Sequence, residues 1–291
     1  MTESTPRDRS VLRPLLLASL LVLPLLAVPR SHAQTELEIV IGVVAPERPD
    51  GDAFDAAVDE AVRQGHEMVL DEFGMNASML GIDLSIPLEG ASDAESAVAA
   101  ARTLVDDHGA MALVGGWGGT DTTRALSEWA AERGIAFVNA GESADVLRNE
   151  ACRATTFHLE PSDAMYLDAM AGWYVRSGFR RWFVVHADDG RGEALLERMR
   201  WSLNERHFGA RIVDVAGTSD VVDAAALRRR VEAAEADVLV LLMPAADQIA
   251  WLGALDATGL EIAVAGHPDQ EAQSRAFMFA AREAAPTLGS Q

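Results

Sequence analysis

Residues 111–139 read MALVGGWGGTDTTRALSEWAAERGIAFVN. Met111 to Val114 is a short apolar run of strand character. Thr122 to about Glu132 has helical spacing, and Ile135 to Asn139 is an apolar strand again. Between the first strand and the helix lies a loop rich in glycine, Gly115-Gly116-Trp117-Gly118-Gly119. Strand, loop, helix and strand in so few residues form the repeating unit of a parallel sheet covered by helices.

The same rhythm runs outward in both directions. Upstream, Leu37 to Val44 is a β-rich run that ends in a turn carrying Pro46, Pro49 and Gly51. Phe54 to about Phe73 is predicted helical, and Ile82 to Leu88 a second strand. Ser92-Asp93-Ala94-Glu95 reads as a capping box, in which the Ser92 hydroxyl takes a backbone N–H and Glu95 reaches back. Ala94, Ala97, Val98, Ala101, Leu104 and Val105 then mark the apolar face of a helix. Downstream the alternation restarts after Glu150–Pro161, with Ser162 capping a helix that runs to about Ser177. Strands are predicted at Trp182–His186, Arg211–Ala216, Asp237–Met243 and Ile262–Ala265. Helices lie between them at Glu193–His207, Ala224–Ala234 and Ala246–Ala257. The expected fold is α/β, with two Rossmann-like doubly wound lobes at 34–155 and 156–291.

The N-terminus carries a different signal. Arg7, Arg9 and Arg13 border the apolar stretch 11–28, and Ser31-His32-Ala33 precedes Gln34. This is the layout of a cleaved secretory leader, predicted over 1–33. The apolar run is short for a membrane span, and Pro14 and Pro24 interrupt it. A periplasmic or secreted protein is expected, with no membrane insertion after cleavage.

Composition excludes several chemistries. The chain has 291 residues and a net charge of −21, which repels nucleic acid. All 24 basic residues are arginine, so no lysine is present for a Schiff base or a phosphate loop. The single cysteine, Cys152, cannot form an internal disulfide or a cysteine zinc cluster, and it reads as a small buried apolar residue. The loop Ala45–Gly51 lacks the dinucleotide-binding glycine pattern. Single scattered histidines give no defensible metal or general-base pattern, and no catalytic residue, metal or cofactor is expected.

Ligands of open parallel sheets sit beyond the C-terminal strand ends, where helix N-termini also point. The loop at 114–123 therefore stands out. Gly118 and Gly119 let backbone approach a ligand, Thr120 and Thr122 offer hydroxyls, and Trp117 offers a flat apolar wall. A carboxylate suits such a place. The same residues also read as a tight strand–helix turn with capping threonines. After the adjacent strand, the Gly141 N–H and the Ser143 hydroxyl converge on the same space. From the second lobe, Asp189 or Asp269 could hold a ligand cation, and Arg191 a ligand anion; each also reads as a solvated loop residue.

Four segments in order carry a family resemblance. They are Ile41-Gly42-Val43-Val44, Ser92-Asp93 with Ala97-Val98 and Ala101-Arg102, Leu113-Val114-Gly115-Gly116, and Gly134-Ile135-Ala136-Phe137-Val138-Asn139. Together they resemble the type I periplasmic solute-binding proteins of ABC transporters, in the branched-chain amino-acid-binding group. The resemblance implies two hinged lobes that close on a small molecule without catalysis, and an ABC permease in the inner membrane as partner. The family's first-lobe contacts with carboxylate and amine match Gly118–Thr122 and Gly141–Ser143. The second-lobe loops around Asp189–Arg191, Asp247 and His267 contain no tyrosine, which departs from a site for an ordinary aliphatic amino acid. A narrower set resembles binding proteins associated with PQQ-dependent alcohol oxidation: Leu147-Arg148, Cys152-Arg153, Phe157-His158, Pro161-Ser162 and Ala164-Met165, followed by Arg181-Trp182. The family normally continues beyond the point reached by Gly289-Ser290-Gln291, so a truncated C-terminal part is expected.

The expected role is capture of a small polar solute bearing a carboxylate. An extracellular sensor of the same fold is the nearest rival. A secreted α/β hydrolase is another, but its Gly-x-Ser-x-Gly turn is absent.

Overall fold

In the computed structural model, which describes residues 37–220 and 223–288, two sheets carry the chain. The expected leader at 1–33 lies outside the described residues. Both sheets belong to one compact unit beginning at Glu38. The first comprises β1 (Leu37–Pro46), β2 (Ile82–Ser85), β3 (Leu88–Ala91), β4 (Ala112–Gly115), β5 (Ala136–Asn139) and β6 (Thr156–His158). Its order is β2-β1-β4-β5-β6, with β3 also paired to β1. β3 and β4 run parallel to β1, β5 to β4, and β6 to β5. The second sheet has the order β10-β9-β7-β8, all parallel, from β7 (Arg181–His186), β8 (Arg211–Gly217), β9 (Val238–Leu242) and β10 (Ala263–Gly266).

Eight helices are described: α1 (Ala53–Met79), α2 (Ala94–Asp106), α3 (Gly119–Arg133), α4 (Asp163–Arg176), α5 (Gly190–Glu205), α6 (Ala224–Ala233), α7 (Ala245–Asp256) and α8 (Arg275–Ala284). α2 and α3 cover one face of the first sheet, where Ala97, Ala101, Leu104 and Leu126 meet Val40, Val44, Leu113 and Phe137. The second sheet is covered on both faces. Leu167, Leu195 and Met199 pack against Trp182, Val184 and Val240, while Leu227, Val231 and Leu255 pack against Phe183, Val185 and Leu239. That sandwiching explains the unbroken apolar run of β9, every residue of which is buried. Among the described residues no helix is long and apolar enough to cross a membrane.

Several boundaries depart from the sequence reading. The predicted strand at Ile82–Leu88 is two strands, β2 and β3, separated at Ile86 and Pro87. β6 was not expected. It pairs with β5, so the passage from the first sheet to the second comes after His158 rather than before Thr156. The capping box of α2 is shifted by one residue. Asp93 accepts the Ser96 N–H at 2.8 Å, and Ser96 Oγ accepts the Asp93 N–H at 3.0 Å. A carboxylate is the stronger acceptor for the first-turn N–H groups, so it takes the cap in place of Ser92. Cys152 is exposed rather than buried, because Ala151 takes the inward position of that turn.

Candidate functional site

The strand orders place one switch point in each sheet. In the first, the chain leaves β1 toward β2 and β3 on one side and β4 on the other; in the second, β7 is flanked by β8 and β9. Loops diverge at such points and leave a crevice beyond the strand ends. The two crevices face a shared cavity of about 370 Å³. Its wall comes from the C-terminal ends of strands: Pro46 and Arg48 after β1, Ser92 after β3, Gly116 to Thr120 after β4, and Gly141 to Ser143 after β5. The opposite wall comes from Ala187, Arg191 and Gly192 after β7, Met243 and Pro244 after β9, and His267, Asp269, Gln270 and Glu271 after β10.

Of the residues singled out from sequence, Trp117, Gly118, Gly119, Thr120, Gly141, Ser143 and Arg191 line this cavity. Thr122 and Asp189 do not. Thr122 is buried in α3, and its methyl group lies beneath Gly118. Asp189 is the N-cap of α5 and accepts the Gly192 N–H at 2.7 Å. Cap geometry therefore claims the carboxylate expected to face a ligand. The loop after β4 depends on glycine. Gly116 has φ +112°, and a Cβ there would lie 2.2 Å from Asn139 Oδ1. That amide also organises the next loop, accepting the Glu142 N–H at 2.9 Å and donating to the Glu142 carbonyl at 2.7 Å. Gly118 is the N-cap of α3 with no side-chain cap, so its helix N-terminus faces the cavity without a capping carboxylate.

Arg191 does not project free into the cavity. Its Nη1 donates to Thr120 Oγ1 at 3.0 Å and Glu142 Oε1 at 2.7 Å. Its Nη2 donates to Ser143 Oγ and Asp163 Oδ1, each at 3.1 Å. Ser143 Oγ donates in turn to Asp163 Oδ1 at 2.8 Å. The guanidinium thus ties α5 of the second lobe to the loops of the first, a role that replaces the expected free anion contact. Burial opposes its charge, but Glu142 and Asp163 outweigh that and raise its pKa.

Sequence reading named Asp269 and the His267 loop, both of which line the cavity, but left out Asp163, Glu142 and Arg48 from the charged frame around this contact. Asp163 is 5% exposed. Burial disfavours its charge, yet the adjacent His267 ring and the charge of Arg191 hold it below the usual carboxylate range. His267 is 1% exposed, with Nε2 3.2 Å from Asp163 Oδ1 and Nδ1 3.6 Å from Asp269 Oδ2. The Nε2 contact is an ion pair rather than an aligned hydrogen bond. Burial lowers the affinity of the ring for a proton, but the two carboxylates outweigh it and raise the pKa to about 9. On the other side, Arg48 Nε donates to Asp59 Oδ1 at 2.9 Å, and its Nη1 lies 2.8 Å from Asp55 Oδ1 and 3.2 Å from Glu271 Oε1. Arg48 was invisible as a site residue because its partners lie as far as Glu271 along the chain.

A profile of the family described as periplasmic binding protein matches residues 38–274. No curated protein sequence matches the chain. Solved structures do. An ABC transporter substrate-binding protein from Desulfitobacterium hafniense, in complex with Leu, aligns with TM-score 0.67 and 18% identity, over 84% of this chain and 76% of that one. A branched-chain amino acid ABC transporter periplasmic ligand-binding protein from Burkholderia xenovorans aligns with TM-score 0.68 and 16% identity, over 78% and 60%. A solute-binding protein of an ABC transporter from Rhodopseudomonas palustris, in complex with 3,4-dihydroxybenzoic acid, aligns with TM-score 0.61 and 15% identity, over 80% and 62%. The chain thus spans less than two thirds of the length of the last two.

Proposed function

Because the chain belongs to the periplasmic binding protein family, we propose that it is the extracytoplasmic solute carrier of an ABC transporter. It captures a small polar, carboxylate-bearing molecule in the periplasm and presents it to a permease in the inner membrane. The lobes divide after His158, and hinge motion between them opens and closes the cleft. The observation that carries this reading is the shared cavity, walled by strand-end loops of both sheets. Trp117, Gly118, Gly119 and Thr120 hold the solute through backbone N–H groups, a hydroxyl and an aromatic wall, and Gly141 and Ser143 shape the wall beside them. Arg191 fixes the position of the two lobes. The similar structures solved with Leu and with 3,4-dihydroxybenzoic acid support a carboxylate as the shared ligand group. The subgroup associated with PQQ-dependent alcohol oxidation remains the narrower form of this proposal.

The test is thermal unfolding of the full chain against a panel of amino acids, aliphatic and aromatic carboxylates, amides and alcohol-oxidation products. A solute at about 100 times its Kd stabilises by about 2.7 kcal/mol, which raises Tm by about 5–10 °C. Trp117→Ala removes most of that rise while leaving the unliganded Tm close to the parent's. A panel in which no compound moves Tm counts against the carrier reading.

A further inference from the structure

The charges around the cavity follow one pattern. Among the described residues, the acids that line it are Glu142, Asp269 and Glu271. Each is contacted by a cation of the protein itself, Arg191 at 2.7 Å for Glu142, His267 at 3.6 Å for Asp269 and Arg48 at 3.2 Å for Glu271, although Arg191 and His267 also share Asp163 and Arg48 also serves Asp55 and Asp59. Asp163, behind the wall, is held by Arg191 and His267. A solute ammonium entering this cleft would lose its water and find the Glu142 carboxylate oxygen already bonded to Arg191, so its desolvation would go without that partner.

Arg191 is the centre of the pattern. It arrives from α5, but Thr120, Glu142 and Ser143 belong to the first lobe. Four donor contacts on two carboxylates and two hydroxyls make a filled guanidinium site, matched to the planar fork of arginine. The wall on the α3 side is different. The helix N-terminus at Gly118 has no side-chain cap and still calls for an acceptor.

We propose that Arg191 is a tethered occupant of the cleft's cation site, and that it makes the protein select carboxylates lacking a neighbouring ammonium group over α-amino acids. The selectivity rests on the carrier reading above; the filled cation site does not.

The experiment separates the two. Arg191→Ala in the full chain vacates the site, and Arg191→Met, which keeps more of the side-chain volume, serves the same test should the alanine variant fail to fold. Thermal unfolding is followed with about 10 mM methylguanidinium chloride, and with tetramethylammonium chloride at equal concentration as the ionic control. The expected result is a Tm rise of about 2–4 °C in the variant with methylguanidinium alone, and none in the parent. Equal responses in parent and variant, or no response in the variant, overturn the proposal. Calorimetric titration then compares leucine with 4-methylpentanoate, its analogue without the amine. The parent binds 4-methylpentanoate about tenfold or more tightly than leucine, and the variant loses that preference. A parent that prefers leucine overturns the selectivity. Methylguanidinium rescue with no binding of either probe upholds the filled site and tells against the carrier reading.

Discussion

His267 shows how a single residue acquires its properties from its surroundings. Its ring is buried, and the carboxylates of Asp163 at the start of α4 and of Asp269 in its own loop flank its two nitrogens. Its pKa stands at about 9, above the ordinary value of 6.5. A group raised on folding contributes its full stability below the unfolded pKa and loses it as pH climbs through the folded one. Stability from His267 is therefore complete below about pH 6.5 and gone above about pH 9, a change of about 3 kcal/mol. Urea unfolding at pH 6, 7.5 and 9.5 measures it. His267→Asn is expected to flatten the profile over that window; an unchanged slope would mean that another group titrates there. Asp163 acts in the opposite sense. Its contribution is present above the ordinary carboxylate pKa and is lost as pH falls through its lowered folded value.

At the level of the element, the start of α2 illustrates a division of labour between neighbours. Ser92 and Asp93 are both good cap residues, and the sequence pattern favoured Ser92. In the fold Asp93 caps the helix and Ser92 lines the cavity. Asp93→Ala is expected to lower the denaturant midpoint, as lost caps do, with little effect on solute affinity. Ser92→Ala is expected to leave the denaturant midpoint nearly unchanged and to weaken binding. Equilibrium unfolding and titration of the two variants check this, and a reversal of the two effects would return the cap to Ser92.

Across the whole molecule, two arginines join the lobes from opposite directions. Arg191 reaches from α5 to the loops after β4 and β5, and Arg48 reaches from the loop after β1 to Glu271 after β10. Arg48 also neutralises Asp59, which is 4% exposed. Burial, opposed by Arg48, raises the pKa of Glu271. Close by, Phe54 and Val58 of α1 pack with Ala245 of α7, and Phe277 of α8 completes the cluster. Arg48→Ala leaves Asp59 as a buried carboxylate without its cation and is expected to cost about 2–3 kcal/mol, somewhat below a fully buried pair because Arg48 is partly solvated. A double-mutant cycle of Arg48→Ala with Glu271→Ala, read by urea unfolding, is expected to give a coupling of about 0.5–1 kcal/mol. Strict additivity would show that the lobes are not joined here.

The chain's apolar periodicity by itself determined the α/β class, the alternation of strands and helices and most of their positions. Those are local matters: β9 is apolar throughout because it is buried on both faces, and Ser162 caps α4 through an N–H three residues away. The glycine loop at 115–119 was legible for the same reason, since residues without a Cβ announce close backbone approach wherever they stand. Tertiary structure alone decided which charges meet. Asp189 went to a helix cap and Thr122 to a buried helix face, while His267, Asp163, Glu142 and Arg191 converged from four separate segments. Electrostatic pairing depends on distance in space, and no pattern along the chain records that distance.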